Sequence, residues 1–190
     1  YSEGDGRPYS GFDPAKLVKV LDFISINVYP YSPVQNIGDP FKSQEAFIKG
    51  LQFVEGLVRY CHFGKPVVLE EFGWYGGGEQ PWLEPVKTKP LSYRTEEDQA
   101  RWCRSVVEST LNCASGWVVW LYQDTPQASD ISRLGGLFTY NGLIKEWGKT
   151  FRQLSKEMKS RMLERVTSST IVTFDRKKVL TSKSGVISFW

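Results

Sequence analysis

The feature of this 190-residue chain that most restricts its fold is a regular alternation of short apolar runs with long amphipathic segments. Apolar runs begin near residues 22, 66 and 116, and a segment with helical spacing of its apolar residues follows each of them. Buried strands that alternate with long helices predict a parallel sheet covered by helices. Three strands alone would leave both sheet edges bare, and a complete (β/α)8 barrel takes roughly 250 residues. We therefore predict an α/β fold, the later half of such a barrel.

Capping residues mark where the helices begin. The first helical segment, 43–64, opens with Ser43, and the second, 95–115, opens with Thr95 and a run of acidic residues. The third segment, 144–163, carries a single apolar stripe, which is typical of an amphipathic helix packed on a core.

The end of the chain differs in character from the rest. Two short strand-like runs surround a basic turn, so residues 1–165 are predicted to form the partial barrel and residues 166–190 the start of a truncated β-rich appendage. Residues 145–190 contain 11 Lys and Arg against 4 Asp and Glu. No nucleic-acid-binding motif accompanies this charge, so we interpret it as a solvated helix face rather than a nucleic-acid site.

Other classes of protein are disfavoured by composition. No apolar run approaches the roughly 18 residues of a membrane span, so no membrane partner is predicted. His62 is the only histidine and the cysteines form no CxxC pair, so no metal and no cofactor are predicted. A flavodoxin-like sheet with phosphate at the glycines 76–78 is disfavoured because no Lys-Ser/Thr follows them and they open no helix.

Functional side chains are predicted at the carboxyl ends of the strands. In the first strand the even positions are aliphatic, whereas the odd positions become polar toward Asn27 and Tyr29. In the second strand, simple alternation puts Glu71 on the face of Val67 and Leu69, with Glu70 facing the helices. The third strand, "GWVVWLY" (116–122), carries Trp120 toward its carboxyl end. Barrel enzymes place their catalytic groups at this end.

Three motifs carry a resemblance to a known family. The stretch "GKPVVLEEFG" resembles the seventh-strand motif of the retaining glycoside hydrolases with a (β/α)8 barrel, closest to family five, the cellulase and mannanase family. "DFISINVYP" resembles the sixth-strand motif and "GWVVWLYQD" the eighth, and the likeness extends from residue 1 to about residue 158. The resemblance thus implies strands six to eight with their helices.

The resemblance implies roles for individual residues. Glu71, directly before Phe-Gly, would be the catalytic nucleophile, and Tyr29 would donate a hydrogen bond to its carboxylate. Trp120 would form the floor under the sugar. Asn27 stands where the family usually has His, and would bind a sugar hydroxyl. Trp74, on the loop after the second strand, is predicted to extend the aromatic platform along the glycan, and the alternative is that it anchors this loop by packing.

The expected function is therefore hydrolysis of β-glycosidic bonds by a retaining mechanism. The acid/base glutamate of the family lies on a strand outside this chain, and Glu79 and Glu84 match no family position. The partners would be a β-linked polysaccharide or oligosaccharide and the N-terminal half of the same barrel, and the chain expressed alone is expected to be inactive. The resemblance implies an extracellular location. The alternative is a non-catalytic carbohydrate-binding barrel.

Overall fold

The protein contains a three-stranded parallel sheet and three long helices in alternating order. The computed structural model describes residues 18–29, 39–77, 93–128 and 131–168, with side chains described as far as residue 160. The predicted alternation of strands and helices is confirmed.

The strands lie in the order in which they occur along the chain. Strand β1 (Ile24–Val28) pairs with β2 (Val67–Phe72), which pairs with β3 (Gly116–Val119), and both pairings are parallel. Because all three strands run the same way, their carboxyl ends meet at one edge of the sheet. Strand β3 ends earlier than predicted, since the chain after Val119 pairs instead with residues 137 and 138 through the carbonyls of Leu121 and Tyr122.

The helices begin at the predicted caps. Ser43 accepts a hydrogen bond from the Ala46 N–H at the start of α1 (Gln44–Cys61). Thr95 and Asp98 form a capping box at the start of α2 (Glu96–Thr110), in which each side chain accepts from the other's backbone N–H.

The third helix, α3 (Glu146–Ser168), is capped by a side chain from another helix. The backbone N–H of Glu146 donates to the Glu96 carboxylate at 2.9 Å. The first N–H groups of a helix have no partner within the helix, and the Glu96 carboxylate supplies one for Glu146. The contact also joins the starts of α2 and α3.

One face of the sheet forms the core. Fully buried side chains contribute about 1.5–3 kcal/mol each. Phe72 meets the ring of Trp147 from α3 edge-on at 6.1 Å, and Trp102 of α2 is also fully buried. The sheet residues on this face are each no more than 5% exposed: Ile24, Ile26, Val28, Val67, Leu69 and Phe72.

The end of the chain lies mostly outside the described residues. The chain divides into two compact units, Tyr1–Arg152 and Gln153–Trp190, and the second is described only as helix, through residue 168. Residues 166–168, which we assigned to the appendage, still belong to α3. The appendage itself stays a prediction. None of the helices in the described ranges is both long and apolar enough to cross a membrane.

Candidate active site

Strand β2 carries a bulge at its carboxyl end. Ile26 of β1 pairs with Leu69, but the next residue, Asn27, pairs with Glu71, so Glu70 is an extra residue on β2. The register with β3 is irregular over the same stretch, between Leu69 and Phe72. An extra residue of this kind bends a strand and resets the alternation of its side chains.

The bulge corrects the simple alternation that we expected for β2. Val67 and Leu69 are 0% exposed and lie on the helix side of the sheet with Phe72. If the same six residues formed a regular strand, Glu71 would share their buried face. With the bulge, Glu71 lies opposite Asn27 on the other side. The predicted common face of Val67, Leu69 and Glu71 is therefore wrong, and Glu70 is exposed rather than packed toward the helices.

The bulge brings Glu71 beside Tyr29. The Tyr29 hydroxyl donates to Glu71 Oε2 at 3.3 Å, which is a long hydrogen bond, and both side chains are half-buried. A donor at this position restricts the orientation of the carboxylate. Asn27, the register partner of Glu71 on β1, is exposed on the face that carries the carboxylate. The structure thus brings together Tyr29, Glu71 and Asn27.

Trp120 lies next to β2 just after the end of β3. Its backbone N–H donates to the Phe72 carbonyl at 2.9 Å, and its side chain is 42% exposed. Gly73 permits this close approach, because a Cβ at residue 73 would lie 2.3 Å from the Trp120 carbonyl oxygen. A partly exposed indole offers an apolar face on which a sugar ring can stack.

Trp74 does not occupy the position that we expected for a sugar platform. Its side chain is 0% exposed and packs against Phe41, Tyr75 and Trp102, with ring centroids 5.4–6.3 Å apart. An indole enclosed on all sides has no face free for a sugar, so the predicted substrate contact of Trp74 is corrected to a core role.

The glycines after Trp74 serve the packing of this loop. The Gly76 N–H donates to the Leu134 carbonyl and the Gly77 N–H to the Arg94 carbonyl, so both donors are already used within the protein. A Cβ at residue 76 would lie 2.2 Å from the Thr95 carbonyl oxygen. Neither N–H is free to bind a phosphate. Glu79 and Glu84 lie outside the described residues.

A buried ion pair that the sequence did not indicate joins the loop after β3 to the start of α3. Lys145 is 1% exposed and Asp124 8%. The ammonium of Lys145 donates to both Asp124 oxygens at 3.0 and 3.2 Å and to the Leu134 carbonyl at 2.7 Å, and Asp124 also accepts from the Gly136 N–H. Burial raises the pKa of Asp124 and lowers the pKa of Lys145, while their mutual attraction opposes both shifts.

Gln99 of α2 adds a second polar contact to the same region. Its amide nitrogen lies within 2.8 Å of the Trp74 carbonyl, 3.3 Å of the Gly136 carbonyl and 3.4 Å of the Leu134 carbonyl, and the side chain is fully buried. The loops that follow β2 and β3 are therefore tied to one helix. Within the described residues, no group of three His, Cys, Asp or Glu side chains is placed to hold a metal ion.

Comparisons with known proteins give matches among solved structures. No protein-family model matches the chain, and no curated protein matches it. A GH5_18 structure from Bifidobacterium longum subsp. longum aligns with a TM-score of 0.56 at 20% identity, covering 78% of this chain and 34% of that chain. A GH5_18 variant from Streptomyces cattleya, in complex with Manβ1-4GlcNAc, aligns with a TM-score of 0.54 at 17% identity, covering 77% and 33%.

A second group of glycosidases has a similar fold. A β-glucuronidase from an uncultured Clostridium sp. aligns with a TM-score of 0.52 at 18% identity, covering 72% of this chain and 23% of that chain. The chain thus has the fold of part of a (β/α)8 barrel, similar to the barrels of these glycosidases. It spans about a third of the length of the GH5_18 structures it matches. The predicted partial barrel and its likeness to family five are confirmed at the level of the fold.

Proposed function

We propose that the protein containing this chain hydrolyses β-glycosidic bonds by a retaining mechanism, with Glu71 as the nucleophile. The contact between Tyr29 and Glu71 on the open face of the sheet is the observation that carries the proposal. It lies at the carboxyl ends of parallel strands, where barrel enzymes build their sites. A partly exposed indole, Trp120, follows the neighbouring strand. The glycosidase neighbours support the same class of reaction.

The chemistry proceeds in two displacements. A Glu71 oxygen attacks the anomeric carbon, and the bond from that carbon to the leaving oxygen breaks as a second carboxylic acid gives that oxygen a proton. Water then attacks the anomeric carbon of the glycosyl ester, the second carboxylate takes the water proton, and Glu71 is released. Two inversions leave the configuration of the sugar unchanged.

The residues beside Glu71 have distinct roles in these steps. Tyr29 holds the attacking oxygen in place and stabilises its charge before the attack. Trp120 supports the sugar ring from below, and Asn27 donates a hydrogen bond to a sugar hydroxyl. Retaining enzymes need two carboxyl groups about 5 Å apart. The second is expected from the N-terminal half of the same barrel.

The substrate class that we propose is a β-linked oligosaccharide or polysaccharide. Two of the GH5_18 structures hold Manβ1-4GlcNAc, a β-linked disaccharide. Cellulose and mannan, the substrates of the family resembled in sequence, belong to the same class, and an extracellular location would suit either polymer.

A fluorinated glycoside that traps the covalent intermediate tests this function. We expect the full-length protein to gain the mass of one sugar, and peptide mapping to place the sugar on Glu71. The Glu71→Gln variant should gain none, whereas the Glu70→Gln variant should be labelled like the wild type. A sugar found on another residue, or turnover without any trapped intermediate, would contradict the proposed role of Glu71.

Removing the hydroxyl of Tyr29 tests the hydrogen bond itself. A bond to a charged group contributes about 1.5–3 kcal/mol, and the 3.3 Å distance favours the lower end, so Tyr29→Phe should lower kcat/KM about 10-fold. The measurement is steady-state hydrolysis of an aryl β-glycoside by the full-length protein. Tyr60→Phe, which alters an exposed tyrosine of α1, is the matched control and should leave kcat/KM unchanged. Equal values of kcat/KM for wild type and Tyr29→Phe would show that the Tyr29 hydroxyl does not contribute to the reaction.

A further inference from the structure

The indole of Trp120 is held at its polar end by a residue outside the strands. Trp120 Nε1 donates to Ser132 Oγ at 3.0 Å. Ser132 is only 9% exposed and lies in a short 3₁₀ helix, Ile131–Arg133, in the loop after β3. An indole N–H has a single donor, so this bond restricts rotation of the ring about its side-chain torsions. The face of Trp120 that remains exposed is therefore presented in one orientation.

Ser132 is itself fixed by backbone contacts. Its carbonyl oxygen accepts from the Thr125 N–H at 3.0 Å, which closes the loop between β3 and the 3₁₀ helix. The next turn is closed by the Leu134 N–H, which donates to the Ile131 carbonyl at 3.2 Å. The hydroxyl that receives the indole N–H is thus carried on a short closed turn.

The turn is anchored to the core through the carbonyl of Leu134. That oxygen accepts from the buried ammonium of Lys145 at 2.7 Å and from the Gly76 N–H at 3.1 Å. Lys145 is in turn held by both oxygens of Asp124. The contacts therefore run from the start of α3, through Leu134 and the 3₁₀ helix, to the indole of Trp120.

We propose that Ser132 is a positioning residue for sugar recognition, which fixes the plane of the Trp120 indole against the sugar ring beside Glu71. The inference rests on the proposed function and names a residue of that same site. The ligand class is a β-linked oligosaccharide whose ring stacks on the indole. Ser132 acts through Trp120 and does not touch the reacting atoms. Loss of its hydroxyl frees the ring to rotate and weakens the stacking.

A double-mutant cycle in the full-length protein tests the proposal. One neutral hydrogen bond corresponds to about a 3- to 10-fold effect, so Ser132→Ala should lower kcat/KM by that factor, and Ser132→Thr, which keeps a hydroxyl, should restore most of it. In the Trp120→Phe background, which lacks the donor, Ser132→Ala should have no further effect. Ser109→Ala, which removes a hydroxyl bonded to the Val106 carbonyl within α2, is the matched control.

A binding measurement separates this proposal from the proposed hydrolysis. We expect Ser132→Ala to weaken binding of Manβ1-4GlcNAc to the Glu71→Gln protein 3- to 10-fold by calorimetry, and circular dichroism should show that both proteins are folded at the assay temperature. If Ser132→Ala weakens binding and the wild-type protein shows no turnover, the positioning role of Ser132 is supported and the proposed hydrolysis is overturned. Turnover with equal affinities, or additive effects in the cycle, would overturn the role of Ser132. If the disaccharide does not bind at all, the role of Ser132 fails as well.

Discussion

Replacing Glu71 by Gln in the full-length protein should lower kcat/KM for an aryl β-glycoside by about 10⁴-fold or more. The amide has nearly the same shape as the carboxylate, so the fold and the contact with Tyr29 are preserved, but it cannot form the glycosyl ester. Losses of this size are typical when the nucleophile of a two-step enzyme is removed. The measurement is steady-state hydrolysis with enough enzyme to detect residual activity.

The adjacent carboxylate provides the matched control. Glu70→Gln removes the same charge one residue away, and Glu70 is the extra, exposed residue of the bulge. We expect kcat/KM to change by less than about 3-fold, since an exposed charge is well screened. If Glu70→Gln were the inactive variant and Glu71→Gln the active one, the assignment of the nucleophile would be reversed.

Replacing Asp124 by Asn should lower the free energy of unfolding by about 3–5 kcal/mol, because it leaves the buried ammonium of Lys145 without its anion. The carbonyl of Leu134 cannot neutralise a charge. Urea denaturation of the full-length protein, followed by circular dichroism, gives the value.

Two further variants define what Asp124→Asn measures. Glu108→Gln breaks the exposed pair with Arg104 on α2 and should cost no more than about 1 kcal/mol. The double change of Asp124 to Leu and Lys145 to Met removes both charges and should recover much of the loss. A loss of less than 1 kcal/mol for Asp124→Asn would show that water reaches the ammonium.

Measurements of turnover, of sugar trapping and of disaccharide binding decide between the enzyme and the carbohydrate-binding alternative. A binding barrel would hold Manβ1-4GlcNAc with Trp120, would be weakened by Trp120→Ala, and would show neither turnover nor a trapped sugar. An enzyme is expected to bind the disaccharide, to turn over the aryl glycoside and to form the trapped intermediate.

Local patterns in the sequence were sufficient to predict the helices and their caps. Ser43 and Thr95 bond the backbone three residues along the chain, so their effect depends on few neighbours. The strands were also predicted, because each is a short apolar run. The proximity of Tyr29 to Glu71 followed from the family resemblance, since the residues lie 42 positions apart.

The bulge in β2 is a feature that simple alternation misses. Counting by twos from Val67 puts Phe72 on the face opposite Val67 and Leu69, whereas Phe72 is buried with them. An apolar Phe after two carboxylates is the signal that the count shifts by one residue. The pair of Asp124 and Lys145 had no local signal, because Lys and Asp are rarely buried and these two lie 21 residues apart. Trp74 was wrongly expected at the surface because aromatic residues on a loop are equally suited to packing.

The bulge also assigns different kinds of importance to the two neighbouring glutamates. Deleting Glu70 would leave the sequence V-V-L-E-F, whose strict alternation already puts Val67, Leu69 and Phe72 on one side and Glu71 on the other. The deletion thus keeps the carboxylate on the correct side and changes only the twist that aims it. Glu70 contributes an extra backbone residue to β2, and its side chain is not needed for this. Many substitutions but few deletions should therefore be tolerated at residue 70 over evolutionary time. Glu71 contributes its carboxylate, so neither a substitution nor a deletion should be tolerated at residue 71.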